Sequence, residues 1–283
     1  MVQTNDGSPG NGVRPRRSRL AALLGLLGLA AFAAPLPAEA RDIVVYGEPT
    51  LAPVLHSLGD LWRARGNSRV HVFVAPTDLS FAQIERDARC DVIFALAGPA
   101  TDDAARRDLF DADSKVAAFR NSLVLVGRDG SAAASPGGIP VILAGRRLAI
   151  ANPDRDVAGS YGLVALRAAG ASVDPTAKSV LVAENAAGVL QLLADGQADV
   201  GVVYASDAAA HPQVKVLATL DAASHPPIAY VAAEAANADA QSDTEGFLAF
   251  LATPAAKAAV AAAGLTPGDG GGTPHQRKPR SAK

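Results

Sequence analysis

A single cysteine, Cys90, is all the chain contains, so no internal disulfide can form. It stands between Arg89 and Asp91 at the start of an apolar strand and reads as buried filler rather than a reactive thiol. Aromatic residues make up only 5 % of the sequence, so alanine and valine must fill most of the interior. That suits tightly packed α/β layers better than a wide aromatic-lined cavity. The histidines, His56, His71, His211, His225 and His275, are scattered, with no H-E-x-x-H and no i, i+4 pair to hold a metal cation or serve as a catalytic base. Gly159 to Gly162 reads G-S-Y-G, which is not the G-x-S-x-G nucleophile elbow. Without a nucleophile–base pair the chain is expected to be no enzyme, and to need no cofactor.

Nor is there a long membrane span. Arg14, Arg16, Arg17 and Arg19 precede an apolar run over 20–34, shorter than the ~20 residues a spanning helix needs. Ala38-Glu39-Ala40 then gives a small-x-small cleavage pattern, so residues 1–40 read as a cleavable export signal. Arg16-Arg17 raises twin-arginine export, but Arg19 stands where that motif has an apolar residue, and the route stays open. Loss of the leader removes four arginines together with Asp6 and Glu39, which moves the formal charge from −2 to −4. A mildly acidic mature protein has no field to attract nucleic acid. Stable membrane insertion is not expected either.

What is present is alternation. Short β-branched runs at 43–46, 70–74 and 91–96 are separated by helical spacing of Leu51, Val54, Leu55, Leu58 and Leu61, and of Phe81 and Ile84, with Phe110 on a later helical segment. Strand–helix–strand units of this kind build a mainly parallel sheet. The pattern restarts with strands at 122–127, 147–152, 180–183, 200–204 and 214–219, a loop at 131–140, and helices at about 160–169 and 188–193. Beyond Pro226-Pro227 a strand at 228–235 and two helices are too little for a third domain, so the chain is expected to cross back and complete the first. The assignment is a lobe I of residues 41–121 plus 228–265, a lobe II of 122–227, and a disordered tail over 266–283 that lacks apolar residues.

One arrangement occurs twice. YGEPTLAPVL from Tyr46 and FVAPTDLSFAQI from Phe73 both leave a strand, turn through Pro-Thr and start a helix, so that Thr77 follows Thr50 by 27 residues. Each threonine is a candidate N-cap, and a helix N-terminus offers unpaired N–H donors and partial positive charge to an anion. Ordinary capping would explain either one alone. Two at successive junctions of one sheet converge on the crevice where α/β sheets bind ligands. NPDRDVAGSYG (152–162) starts another helix near Ala158-Gly159, and AENAAGVLQLL (183–193) does so at Asn185 or Ala186, with small residues that admit close approach. Tyr204 ends a strand, either as a core tyrosine or with its phenol in the cleft.

At these junctions residues 42–265 resemble the periplasmic molybdate-binding proteins of ABC importers. RLAIANPDRDVAGSYG looks like that family's strand, Asp/Asn-Pro loop and Ala-Gly helix start, and AENAAGVLQLLADGQADVGVVYASDA is similar to its helix followed by Gly-Ile/Val-Val-Tyr-x-Ser-Asp. SHPPIAY matches its return crossover, and FLAFLATPAAKAAVAAAGL its closing helices. The resemblance implies a type II periplasmic-binding-protein fold of the α/β class, with two lobes, each a mostly parallel sheet flanked by helices, and a ligand cleft between them. It implies a periplasmic monomer that carries molybdate, and with it tungstate, to an ABC permease. It also implies five uncharged oxyanion donors: hydroxyls of Thr50 and Thr77, where the family has serines, backbone N–H groups of Ala158 and Ala186, and the Tyr204 hydroxyl. Such a set suits a dianion without a proton, whose oxygens only accept.

The first lobe departs from the pattern. Glu48-Pro49-Thr50-Leu51 replaces Ala-Ala-Ser-Leu, and Ala75-Pro76-Thr77-Asp78 replaces a serine-rich loop. The threonine methyls narrow the cavity. Glu48 and Asp78 flank the site, and both are expected to face outward as solvated charges; turned inward, either would repel a dianion or favour a protonated ligand.

Overall fold

The computed structural model describes residues 41–128, 138–239 and 242–269. Residues 1–40, expected to be an export signal, the segment 129–137, residues 240–241 and the tail from 270 onward lie outside them.

Strand β1 (Ile43–Gly47) leads through a 3-10 turn at Pro49–Leu51 into helix α1 (Ala52–Ala64). Val54, Leu55, Leu58 and Trp62 recur on one face of that helix and are buried, which is why it packs as it does. Gly66, with φ of 85°, supplies the left-handed residue just past its end. Strand β2 (Val70–Val74), helix α2 (Thr77–Glu85), strand β3 (Val92–Leu96), helix α3 (Pro99–Arg106) and strand β4 (Val116–Asn121) follow. The chain then enters a second sheet through β5 (Leu123–Gly127), α4 (Ile139–Leu143), β6 (Leu148–Ala151), α5 (Val157–Ala168), β7 (Val180–Ala183), α6 (Ala186–Ala194), β8 (Val200–Tyr204), α7 (Ala205–Ala210) and β9 (Lys215–Thr219). It returns with β10 (Ile228–Glu234), α8 (Thr244–Phe250), α9 (Pro254–Ala262) and the short β11 (Thr266–Pro267).

The first sheet runs β11-β4-β10-β3-β1-β2 and the second β7-β6-β8-β5-β9. Among the named strands, parallel pairing is confined to β2-β1-β3 and β7-β6-β8, while the strands at the two crossings, β4, β5 and β10, pair antiparallel. The α/β class and the restart of the pattern are therefore as the sequence implied, with each sheet mixed. A β-strand that enters from the other lobe has no crossover helix to turn it round, so it docks antiparallel.

Apolar side chains of both sheets form the interior. Phe94 and Phe119 stack at 5.4 Å, and Trp62 meets Phe247 edge-on at 5.5 Å, which ties α1 to the returning helix α8. Cys90 is fully buried, and burial pushes its thiol far above the usual range. Phe110 is not helical: it forms an isolated bridge with Ala235 and stacks on Phe81 at 5.9 Å. Helix α5 begins at Val157, earlier than the spacing suggested, and Thr266 and Pro267 pair with β4, so order extends past Leu265. Among the described residues no single helix is long and apolar enough to cross a membrane.

Candidate functional site

In the first sheet β1 and β2 are parallel neighbours with Gly47 opposite Val74, so their carboxyl ends and the turns that follow lie side by side. Neither threonine is an N-cap there. Glu48 caps the 3-10 turn and Thr50 lies inside it, while Pro76 precedes α2 and Thr77 is its first residue. Pro49 and Pro76 impose this offset, because an extended residue before or at the proline ends the strand one position earlier.

The offset brings Glu48 inward, contrary to expectation. Its Oε1 accepts from the Thr77 N–H at 2.8 Å and from the Thr77 hydroxyl at 2.5 Å. The Thr77 oxygen in turn accepts the Leu96 N–H at 3.0 Å, so the ends of β1, β2 and β3 are knitted through one buried threonine. Asp78 is exposed, as expected. Burial pushes the Glu48 carboxyl above its ordinary range; the bonds from Thr77 oppose this, and the charges of Asp78 and Asp156 add to it.

The second sheet mirrors the arrangement. Asp156 is the N-cap of α5, and its Oδ1 accepts the Ala158 N–H at 2.7 Å. Gly159 and Ala186 also present their backbone N–H groups to that carboxylate, which partly offsets the upward push of burial on its pKa. Gly159 is required at this point: a Cβ there would lie 2.4 Å from the Ala151 oxygen, so only glycine lets the helix start rest on the end of β6. Asn185 caps α6 through the Gly188 N–H at 3.0 Å, which makes Ala186 its first residue.

Between the lobes, the Thr50 hydroxyl donates to Asp207 Oδ1 at 2.7 Å and lies 2.9 Å from the Ser206 hydroxyl. Asn121 Nδ2 donates to the same Ser206 oxygen at 2.9 Å. The second oxygen of Asp207 is buried with no hydrogen-bond partner. Burial raises the Asp207 carboxyl, and the Thr50 bond and His211 pull it back. Tyr204 is 8 % exposed, and its hydroxyl makes no hydrogen bond among the described residues. Burial holds its pKa well above the ordinary phenol value, and the charges of Asp156, Asp207 and Glu48 push in the same direction.

Thr77, the pair Ala158 and Ala186, and Thr50 are each hydrogen-bonded to a different carboxylate. Glu48 holds Thr77, Asp156 holds Ala158 and Ala186, Asp207 holds Thr50, and all three act on Tyr204. Sequence reasoning missed Asp156, Ser206 and Asp207. The signal for Asp156 was an aspartate directly before a helix start, the usual N-cap residue. A cavity of about 270 Å³ opens on the far side of Thr50 toward Pro53, Ala209 and Ala262, but Thr77, Ala158, Ala186 and Tyr204 do not line it. Among the described residues no group of three or more His, Cys, Asp or Glu could hold a metal ion.

Two sheets between which the chain crosses twice, joined by the Thr50–Asp207 and Asn121–Ser206 hydrogen bonds, define the class of two-lobe solute-binding proteins. The chain belongs to the family of bacterial extracellular solute-binding proteins, whose sequence pattern it matches over residues 43–266. It is 28 % identical over 199 residues to the molybdate-binding protein ModA of Escherichia coli K12, covering 68 % of this chain and 77 % of that one. In structure it resembles the substrate-binding domain of a putative molybdenum ABC transporter from Clostridium difficile, with a TM-score of 0.69, 20 % identity, and 80 % and 99 % of the two chains covered. The Azotobacter vinelandii periplasmic molybdate-binding protein superposes with a TM-score of 0.65 at 22 % identity over 79 % and 98 %. The resemblance read from the sequence is thereby shown, and these two structural matches speak for the fold.

Proposed function

We propose that the chain is the periplasmic solute-binding subunit of an ABC importer, capturing a small tetrahedral oxyanion between its lobes and delivering it to a permease. The observation that carries this reading is the convergence of donors: the Thr77 N–H and hydroxyl and the N–H groups of Ala158 and Ala186 each hold a carboxylate oxygen, the chemistry of a bound oxyanion. The ligand suggested by the E. coli relative is molybdate, with tungstate sharing its charge and shape. Hinge motion of the lobes would admit it. Transport rather than catalysis fits the family, whose members are extracellular solute-binding proteins.

One observation favours a second ligand, another oxyanion or a small organic anion. Glu48 and Asp156 face inward, and a bare dianion reaching the same donors must displace both.

The test is retention of molybdenum or tungsten by ligand-stripped protein after gel filtration. About one bound oxyanion per chain, with a raised melting temperature, is expected. No retention of either between about pH 5 and 8, in protein that is folded by circular dichroism, would overturn the molybdate assignment.

A further inference from the structure

The chain passes between the lobes at two neighbouring places, because Asn121, the last residue of β4, is the register partner of Ile228, the first of β10. A line of hydrogen bonds starts there. Asn121 Nδ2 lies 2.9 Å from Ser206 Oγ, Ser206 Oγ lies 2.9 Å from Thr50 Oγ1, and Thr50 Oγ1 lies 2.7 Å from Asp207 Oδ1. While Asp207 is ionised, the hydrogens have one arrangement. The carboxylate only accepts, so Thr50 gives its hydrogen to Asp207; the Thr50 oxygen then receives the Ser206 hydrogen, and the Ser206 oxygen one from Asn121. All three bonds point toward the charge, and each polarises the next. Each also crosses between lobes, since Asn121 and Thr50 stand at the first sheet while Ser206 and Asp207 belong to α7, which follows β8 of the second. Asn121 and Ser206 are buried, and Asn121 Oδ1 accepts the Ser122 N–H at 3.0 Å, which fixes the way its amide faces.

The cavity of about 270 Å³ lies directly behind this line, with Thr50 and Ser206 on its wall and the rest made by α1, α7, α9 and Leu265. Packing on that side is therefore incomplete, which leaves more of the contact between the lobes to the hydrogen bonds. We propose that Asn121 and Ser206 are positioning residues that act through Thr50 and Asp207 to hold the lobes closed in the empty protein, and so set the affinity for the oxyanion. Every bond in the line is made within the protein, so it forms before any ligand arrives. The empty protein is then a latched closed form in exchange with an open one, and the apparent affinity is the intrinsic affinity scaled by the closed fraction. Only the affinity part of this proposal rests on the oxyanion reading.

Small-angle X-ray scattering of ligand-stripped protein reads the separation of the lobes. The native protein is expected to show the same radius of gyration empty and with saturating molybdate. Empty Ser206→Ala and Thr50→Val are expected to be wider than empty native protein, and molybdate is expected to return Ser206→Ala to the native radius. Its affinity by calorimetry should be about tenfold weaker, the factor one hydrogen bond supplies. A merely structural Ser206 would lower the urea midpoint and leave the empty radius unchanged, and that result would overturn the assignment. A native protein wider when empty than when saturated would overturn the latch itself, and this comparison needs no substituted protein to fold. If native protein folded by circular dichroism binds no molybdate, the empty radii still decide: wider variants uphold the latch while the molybdate assignment fails, and equal radii overturn it.

Discussion

The hydroxyl of Thr50 in the first lobe donates to Asp207 Oδ1 in the second across 2.7 Å. Together with the Thr50–Ser206 contact it latches the lobes beside the donor cluster. Thr50→Val keeps the shape of the side chain and removes the donor, which leaves a largely buried carboxylate less satisfied. A loss of about 1–3 kcal/mol is expected, seen as a lower urea midpoint with unchanged slope. Thr50→Ser should retain most of the stability. Equal midpoints for Val and the native protein would mean that the latch contributes nothing.

The carboxyls of Glu48, Asp156 and Asp207 are all raised, chiefly by burial, so their stability contribution has a definite sign. Between the unfolded and folded pKa the native state binds more protons than the unfolded chain. Their contribution is therefore full below the ordinary carboxylate range and is lost as pH rises through the raised values. Asp199 works the other way: the Arg147 guanidinium and backbone N–H hold it down to about 2, and its contribution is lost only as pH falls through that value. Denaturant midpoints of ligand-free protein should fall as pH climbs out of the carboxylate range, and Glu48→Gln/Asp156→Asn should flatten that fall. A native midpoint that rises over the same interval would contradict the burial of these charges.

Much of this geometry was legible in the sequence, and the reasons it was not wholly so are local. Alternating β-branched runs and helical spacing gave the two-sheet arrangement and the return of β10, because those signals come from burial on one face. The repeated Pro-Thr marked the ends of β1 and β2 correctly. It could not say which residue turns inward: a proline-led 3-10 turn moves the cap from Thr50 to Glu48, and that shift depends on the neighbouring strand end that supplies Thr77. Helix α3, PATDDAAR, carries too few apolar residues to show a periodicity, and α4 and α7 are too short to do so. Asp207 is visible as a first-turn acid, but its partner Thr50 lies 157 residues away, a distance no local pattern spans.

Tyr204 separates binding from stability. Its hydroxyl has no protein hydrogen bond among the described residues, so Tyr204→Phe should leave the melting temperature nearly unchanged. If the phenol contacts the anion, affinity should fall by about 1.5–3 kcal/mol, the range for a hydrogen bond to a charged group. Calorimetry on the same preparation measures it. Unaltered affinity would place the phenol outside the ligand's first contacts.

Gly159 joins the fold to the site. Its alanine variant would place Cβ 2.4 Å from the Ala151 carbonyl oxygen and 2.8 Å from the Asn152 carbonyl carbon. Backbone atoms cannot rotate away as a side chain can, so the start of α5 must lift off the end of β6. Overpacking of this kind costs about 1–3 kcal/mol. The same displacement moves the Ala158 N–H and the Asp156 cap, which are fixed to that turn. Gly159→Ala is therefore expected to lower both the urea midpoint and the oxyanion affinity, whereas Tyr204→Phe lowers only the second. Crystallography of the variant would show whether the turn has moved. A variant with native affinity and a lifted helix start would detach the Ala158 donor from ligand binding.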